Sequence, residues 1–277
     1  MTDGALAGVG PVVLIGAGKM GLALARGWIA AGLKPNELVL VDPHPAEATQ
    51  DFARQSGVRL VSTAHGVLVA VMVLAVKPQV IAQVLEEVRP FIGGHTLLIS
   101  IAAGISIRAI ANGLKTERII RTMPNTPAQV GKGVTGAVMG PGARDADHDL
   151  ADALLRAAGE VVWFDDEAKL DAVTAVSGSG PAYVFHFVEA LAAAAVRQGL
   201  DPAQAMALAR QTVIGAAALM EADPAPAATL RQNVTSPKGT TEAALAVLMG
   251  PGGLTGLMDK AVLAARLRSE ELGRPSS

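Results

Sequence analysis

Residues 12–32, VVLIGAGKMGLALARGWIAAG, run as an apolar strand, a glycine turn and an amphipathic helix in immediate succession. No other stretch limits the possible folds as tightly. Four apolar residues, Val12 to Ile15, follow one another without polar alternation, as in a parallel strand covered on both faces. Gly16, Gly18 and Gly21 then form Gly-x-Gly-x-x-Gly where the strand passes into the helix. In such a turn the first glycine permits the tight bend, the second lets the backbone approach a pyrophosphate, and the third lets helix and strand pack closely. Exposed N–H groups and the helix dipole favour an anion there. The pattern predicts a dinucleotide at this turn; a glycine turn that only closes a βα unit is the alternative.

Composition removes several classes of function. With 51% hydrophobic and 17% charged residues, a chain of 277 can bury substantial cores in one large or two ordinary domains. A net charge of −2 offers no basic field for nucleic acid or an anionic membrane. The absence of cysteine excludes disulfides, thiolate metal sites and thiol catalysis, and is in keeping with a cytoplasmic home; no metal site is expected. No Lys or Arg precedes Val12, so a signal peptide is a poor reading. The apolar run 67–76 is about half of what a membrane span needs, so a soluble protein is expected.

Beyond the first helix the βα pattern repeats. Residues 37–42, ELVLVD, read as a second strand ending in Asp42, which lies 21 positions after Gly21. An acid there accepts hydrogen bonds from the ribose hydroxyls of NAD and repels the 2′-phosphate of NADP. Alternatively, Asp42 only opens the turn before Pro43. Helix at 49–57, strand at 58–61, then a helix tail and buried strand within 67–79 follow. That strand stops at Ala75, Val76, Lys77 and Pro78, which should border the cofactor crevice; Lys77 reads equally well as a strand-end lysine reaching water.

The next helix is read at 80–88, and strand 96–104 ends in the small residues Ala102, Ala103 and Gly104, where a flat ring or ribose can approach. After a helix at 107–114, residues 118–133 read as a strand and a loop in which two prolines bracket Asn125 and Thr126, either lining the cofactor or forming a rigid surface turn. Strands at 134–140 and 160–166 flank a helix at 147–158. From about 167 the strand signal stops and helices are read at 181–198, 202–221, 225–233, 240–249 and 255–272. The expected organisation is a Rossmann-like α/β dinucleotide-binding domain, 1–165, followed by an all-α domain, 166–277, with a frayed tail.

Two polar loops interrupt the helical part. SGSGPAY, 177–183, is a small-residue turn leading into a helix. In NVTSPKGTTEAAL, 233–245, Thr235, Ser236, Thr240 and Thr241 surround Gly239 at a helix entrance. Hydroxyls and free N–H groups in that position suit a small carboxylate, although an ordinary helix cap has the same appearance.

Taken in order, GAGKMG, AVKPQ (75–79), RTMPNTP (121–127), SGSGPAY and VTSPKGTTEAAL (234–245) resemble pyrroline-5-carboxylate reductase over nearly the whole chain. The last motif is the specific one, since many dehydrogenases share the glycine fingerprint. The resemblance implies reduction of 1-pyrroline-5-carboxylate to L-proline with NADH or NADPH, and a homodimer formed through the helical domain. It also implies site roles. Gly16, Gly18, Met20 and Gly21 face the pyrophosphate, while 75–78 and 102–104 line the ribose and nicotinamide. Ser236 and the backbone of Gly239 and Thr240 hold the substrate carboxylate, and the Thr241 hydroxyl bonds the ring nitrogen, orienting rather than protonating it. None of the five histidines, His44, His65, His95, His148 and His186, falls in a motif.

Three positions depart from the resemblance: Lys238 where glycine is frequent, Asp42 where NADPH-preferring members carry small or basic residues, and Ala70 where an acid is frequent. Asp42 shifts the expectation towards NADH. Two other readings stand beside the reductase: another cyclic imine reductase or β-hydroxyacid-type dehydrogenase, and a non-catalytic dinucleotide sensor.

Overall fold

The computed structural model describes residues 6–65 and 69–273. The helix tail read into 67–68 and the closing residues 274–277 lie outside them. Two compact units are present, one made of the chain up to Ser179 together with the segment from Ala265, the other of Gly180–Ala264.

The first unit is built on one eight-stranded sheet. Its strands are β1 (Val12–Ile15), β2 (Leu38–Val41), β3 (Arg59–Val61), β4 (Val71–Leu74), β5 (Leu97–Ser100), β6 (Ile119–Met123), β7 (Gly133–Met139) and β8 (Gly159–Phe164), in the order β3-β2-β1-β4-β5-β6-β7-β8. Neighbours from β3 through β6 are parallel; β7 reverses against β6, and β8 runs parallel to β7. The reversal lets a short turn, Thr126–Val130, join β6 to β7 where a parallel pair would need a crossover.

Residues on the central strands alternate between two cores, which explains why those strands read as unbroken apolar runs. Val12, Leu14, Leu38, Leu40, Val71 and Val73 meet Leu24 and Trp28 of helix α1 (Lys19–Ala30) and Leu154 of α5 (Asp145–Arg156). The residues alternating with them, Val13, Ile15, Val39, Val41, Met72 and Leu74, meet α3 (Ile81–Val88) and α4 (Ile107–Leu114). Helix α2 (Glu47–Ser56) follows β2 and ends at Gly57. Trp28 Nε1 donates to the Leu154 carbonyl at 2.8 Å, and a Cβ on Gly27 would stand 2.5 Å from the Ala157 carbonyl oxygen, so α1 and α5 pack backbone to backbone.

The division of the chain differs from one at 165/166. Helix α6 (Lys169–Val173) and a π-helical turn, Thr174–Gly178, pack on the sheet, with Leu170 inside its core. Residues 265–273 return to the same unit: Ser269 Oγ donates to Asp171 Oδ1 at 2.6 Å, and Gly273 stands against the Gly104 carbonyl. A composition shift marks where strands stop, and the sheet still needs covering helices after that point.

The second unit is helical: α7 (Gly180–Arg197), α8 (Pro202–Ala222), α9 (Ala227–Asn233), α10 (Thr240–Leu248) and most of α11 (Leu254–Leu272). Asp201 caps α8 through the N–H groups of Ala203 and Gln204. Only Ala192, Ala205 and Ala209 are buried in this unit among the described residues, while Phe185, Leu208, Leu219 and Val247 are exposed. A helix that is apolar all round is normally enclosed. By length and composition alone, the helical stretch Lys169–Arg197 could also cross a membrane, which the shorter run at 67–76 could not.

Candidate functional site

Three glycines shape the turn after β1, each for its own reason. Gly16 has φ +89°, and a Cβ there would stand 2.8 Å from both the Ala75 carbonyl oxygen and Val76 Cγ1. A Cβ on Gly21 would stand 2.3 Å from the Gly16 carbonyl oxygen. Gly18, at the N-cap of α1, is exposed, and a Cβ there would meet nothing within 4 Å. The first and third glycines thus serve the protein's own packing, while the second leaves open space at the helix start. That is the arrangement a pyrophosphate requires.

Asp42 both opens a turn and touches the glycine loop. Its Oδ1 accepts the His44 N–H at 2.9 Å and its Oδ2 accepts the Ala17 N–H at 3.0 Å. An ionised carboxylate has lone pairs beyond these two, so ribose hydroxyls can still be accepted. The Ala17 carbonyl takes a hydrogen bond from Thr49 Oγ1 at 2.7 Å. Thr49, on α2, carried no recognisable signal in the sequence.

Because β1 pairs with β4, and β4 with β5, the strand ends expected to line the cofactor meet at one edge. Ala75 N–H donates to Ile15 at 2.8 Å and Ile101 N–H to Leu74 at 3.0 Å. Met20, Ala75, Val76 and Pro78 are partly buried, and Lys77 is exposed. Ala102 is buried, with Ala103 and Gly104 partly so. Beneath them Ser100 Oγ accepts the Ala102 N–H at 3.3 Å and the Ser100 carbonyl accepts Thr122 Oγ1 at 3.1 Å. Hydroxyls at Ser100 and Thr122, in strands that are mostly apolar, were the available signal for this support.

Asn125 is turned inward. Its Oδ1 accepts the Val134 N–H at 2.9 Å and its Nδ2 donates to the Ser177 carbonyl at 3.2 Å. Pro181 has no N–H to offer the carbonyl four residues before it, which is Ser177, and the asparagine amide fills that vacancy. The proline-bracketed loop is therefore a rigid turn on its asparagine side.

Nearby, the Arg121 guanidinium donates to Glu167 Oε1 at 2.7 Å, and the same oxygen accepts the Ile107 N–H at 2.8 Å, holding the start of α4. Arg121 and Glu167 border a cleft of about 360 Å³ that also includes Gly104, Asp171 and Glu270. Ala70, whose side chain departs from the resemblance, is tied through its backbone to Pro11 and Leu97.

The second polar loop lies wholly in the helical unit. Gly239 is the N-cap of α10, with no side-chain cap, and the Ala243 N–H returns to its carbonyl at 3.2 Å. Among the described residues, the N–H groups of Thr240, Thr241 and Glu242 have no acceptor, and the hydroxyls of Ser236, Thr240 and Thr241 have no partner. Thr235 differs, since its hydroxyl is spent on the Arg231 carbonyl at 2.6 Å. A Cβ on Gly239 would stand 2.3 Å from Ser236 Oγ, so only glycine lets that hydroxyl lie over the helix start. Lys238 has φ +59°, the left-handed region that favours glycine, and its N–H donates to Glu242.

His44 touches the glycine turn's acid through its backbone N–H, which Asp42 accepts. His65 meets the Phe91 ring edge-on at 5.1 Å, His148 lies 4.1 Å from the Trp163 ring, and His186 pairs with Glu189 at 3.0 Å.

Residues 11–104 match the family model described as NADP oxidoreductase coenzyme F420-dependent, and residues 167–272 the one described as pyrroline-5-carboxylate reductase dimerisation. A pyrroline-5-carboxylate reductase of Arabidopsis thaliana is 38% identical over 265 residues, covering 95% of each chain. The solved structure of a pyrroline-5-carboxylate reductase from Coxiella burnetii is 36% identical, with TM-score 0.88, covering 96% of this chain and 100% of that one. A Plasmodium falciparum pyrroline carboxylate reductase, solved with NADP bound, is 29% identical with TM-score 0.80, covering 96% and 98%. Doubly wound sheet, glycine turn and matched families together define a dinucleotide-dependent oxidoreductase. With relatives matched over almost their full length, the chain belongs to the pyrroline-5-carboxylate reductase family.

Proposed function

We propose that this chain reduces 1-pyrroline-5-carboxylate to L-proline with NAD(P)H, the last step of proline biosynthesis, as a homodimer in the cytoplasm. The observation that carries the substrate half is the entrance to α10, where three hydroxyls and three N–H groups have no partner among the described residues, in a chain of this family. Ser236, with the backbone at Gly239 and Thr240, takes the substrate carboxylate, an anion suited to a helix N-terminus. The Thr241 hydroxyl accepts from or donates to the ring nitrogen and fixes which face of the imine is presented. The chain's cofactor residues are Gly16, Gly18, Met20 and Gly21 at the pyrophosphate, Asp42 at the ribose, and 75–78 with 102–104 at the ribose and nicotinamide. Asn125 serves this site by holding its loop, through the two bonds of its amide.

Bound NAD(P)H supplies the hydride that adds to the imine carbon. The nitrogen, protonated, carries a positive charge that the addition removes, so the reaction needs little beyond placement of the reacting atoms. Placement at near-attack distance is worth on the order of 7 to 11 kcal/mol. A hydroxyl is a weak acid at neutral pH, which assigns Thr241 to orientation. Asp42 favours NADH, because no Lys or Arg lies in 43–48 to receive a 2′-phosphate.

The helical unit provides the dimer surface. Its exposed apolar residues lie within the segment matched to the dimerisation model, which supports subunit pairing over membrane insertion for the stretch Lys169–Arg197.

The test measures oxidation of NADH and NADPH in parallel with and without the imine, and identifies the product. Imine-dependent oxidation yielding proline, faster with NADH, is expected. Faster use of NADPH would keep the reaction and remove the role given to Asp42. Dinucleotide binding without turnover would move the sensor and the other-imine readings forward. Thr241→Ala should lose activity without loss of folding; full turnover with unchanged affinity for the imine would remove Thr241 from the site.

A further inference from the structure

Thr49 is a buried hydroxyl, 1% exposed, on a helix that none of the proposed chemistry uses, and its one side-chain bond reaches 32 residues back to the Ala17 carbonyl. Ala17 is the residue between the first two glycines of the turn. Its N–H is also held, by Asp42, so the peptides on both sides of Ala17 are fixed in direction.

A trans peptide is planar, with its C=O and N–H pointing opposite ways. Holding the Ala17 carbonyl on the α2 side therefore turns the N–H of the same peptide, that of Gly18, the other way. Gly18 N–H has no acceptor among the described residues, and the space where its Cβ would be is open. The neighbouring peptide follows the same rule. Its N–H goes to Asp42, and its carbonyl, that of Gly16, is turned towards Gly21, where only a residue without a Cβ fits.

We propose that Thr49 is a positioning residue for the cofactor pyrophosphate. By holding the Ala17 carbonyl, it keeps the Gly18 N–H aimed outward as an anion donor and keeps the carbonyl oxygen, which would repel phosphate, out of the same space. It touches neither cofactor nor substrate. The inference rests on the proposed placement of a dinucleotide at the glycine turn.

Thr49→Val removes the hydroxyl at nearly constant volume, and Thr49→Ser keeps it. With Thr49→Val, Kd and KM for NADH and NADPH are expected to rise about tenfold, the loss of roughly one hydrogen bond. The kcat at saturating cofactor and the KM for the imine should stay at their wild-type values. Thr49→Ser should restore dinucleotide affinity. Equal Kd for wild type and Thr49→Val would overturn the proposal, as would a Ser variant as weak as Val, or a loss that falls on kcat. Thr49→Ala carries the same test if valine is not tolerated; should neither fold while serine does, the residue is structural and the proposal is overturned. A wild-type protein that binds no dinucleotide would instead sink the placement of the cofactor itself.

Discussion

At Lys238 the sequence and the backbone disagree in a way that can be measured. The residue sits at φ +59° in the loop before α10, a conformation that costs a side-chain-bearing residue about 1 to 2 kcal/mol. The site needs the corner there and gains nothing visible from the ammonium, which is exposed. Lys238→Gly should therefore raise stability by about 0.5 to 1 kcal/mol, after the added freedom of the unfolded glycine is counted, read from the urea midpoint. The KM for the imine should not change; a clear rise would make the lysine part of carboxylate binding. Single residues were unevenly legible. The spacing of Gly16, Gly18 and Gly21 gave away the turn, because tight bends and close approaches admit few alternatives. Asn125 was legible only as a loop residue, since its partners, Val134 and Ser177, lie 9 and 52 positions away. Pro181 marks the carbonyl it leaves unpaired four residues earlier, but nothing local marks Asn125, 52 positions away, as its partner.

Elements followed from periodicity where burial is two-sided or one-sided throughout, as in β1, β2, β4 and β5. What periodicity could not express was the joint between sheet and helices. The polar loop read at 177–183 begins inside a π-helical segment, Thr174–Gly178, that continues α6, with Thr174 and Ser177 hydroxyls bonded to the carbonyls of Leu170 and Val173 at 2.8 and 2.9 Å. Between β6 and α5 the joint is ionic. Arg118 Nε donates to Asp147 Oδ2 at 2.8 Å, a second guanidinium nitrogen reaches Oδ1, and the Arg144 N–H caps the same carboxylate at 3.0 Å. Hydrogen bonding from Arg118 holds the Asp147 carboxyl below its ordinary range in the folded chain, against the opposing effect of burial. Its contribution is complete above the unfolded value, about 3.9, and is lost as pH falls through the lowered folded value. Asp147→Asn should cost about 3 kcal/mol at pH 7 by leaving the guanidinium without its partner. In denaturant titrations the gap to wild type should narrow as the pH drops below 4; a gap constant from pH 7 to pH 3 would mean the charge of Asp147 contributes nothing.

At the scale of the whole molecule, the two units place their apolar residues differently. The central strands hide theirs between covering helices, whereas the helical unit leaves Phe185 66% and Leu219 63% exposed in the single chain. Such surface is what an obligate interface between subunits looks like. Phe185→Asp combined with Leu219→Asp should shift the protein towards monomer in sedimentation, with activity falling alongside, since the helical surface and the proposed substrate loop belong to one unit. A stable dimer in the double variant would place the interface elsewhere. The division into two chemistries was legible from the loss of strand signal after about 167, because alternation and helical spacing differ in period. The last return of the chain was not. Residues 265–273 read as the end of a helix and no more, and their bond to Asp171 spans 98 positions.

That return has a consequence for how such a molecule could be reshuffled. The helical unit is spliced into the nucleotide unit and not appended to it, so one crossover near residue 180 would carry off the strand of chain that stands beside Gly104. Exchanging one helical unit for another between relatives takes two breakpoints, at about 180 and 264, or a chimaera whose nucleotide half inherits a foreign seam.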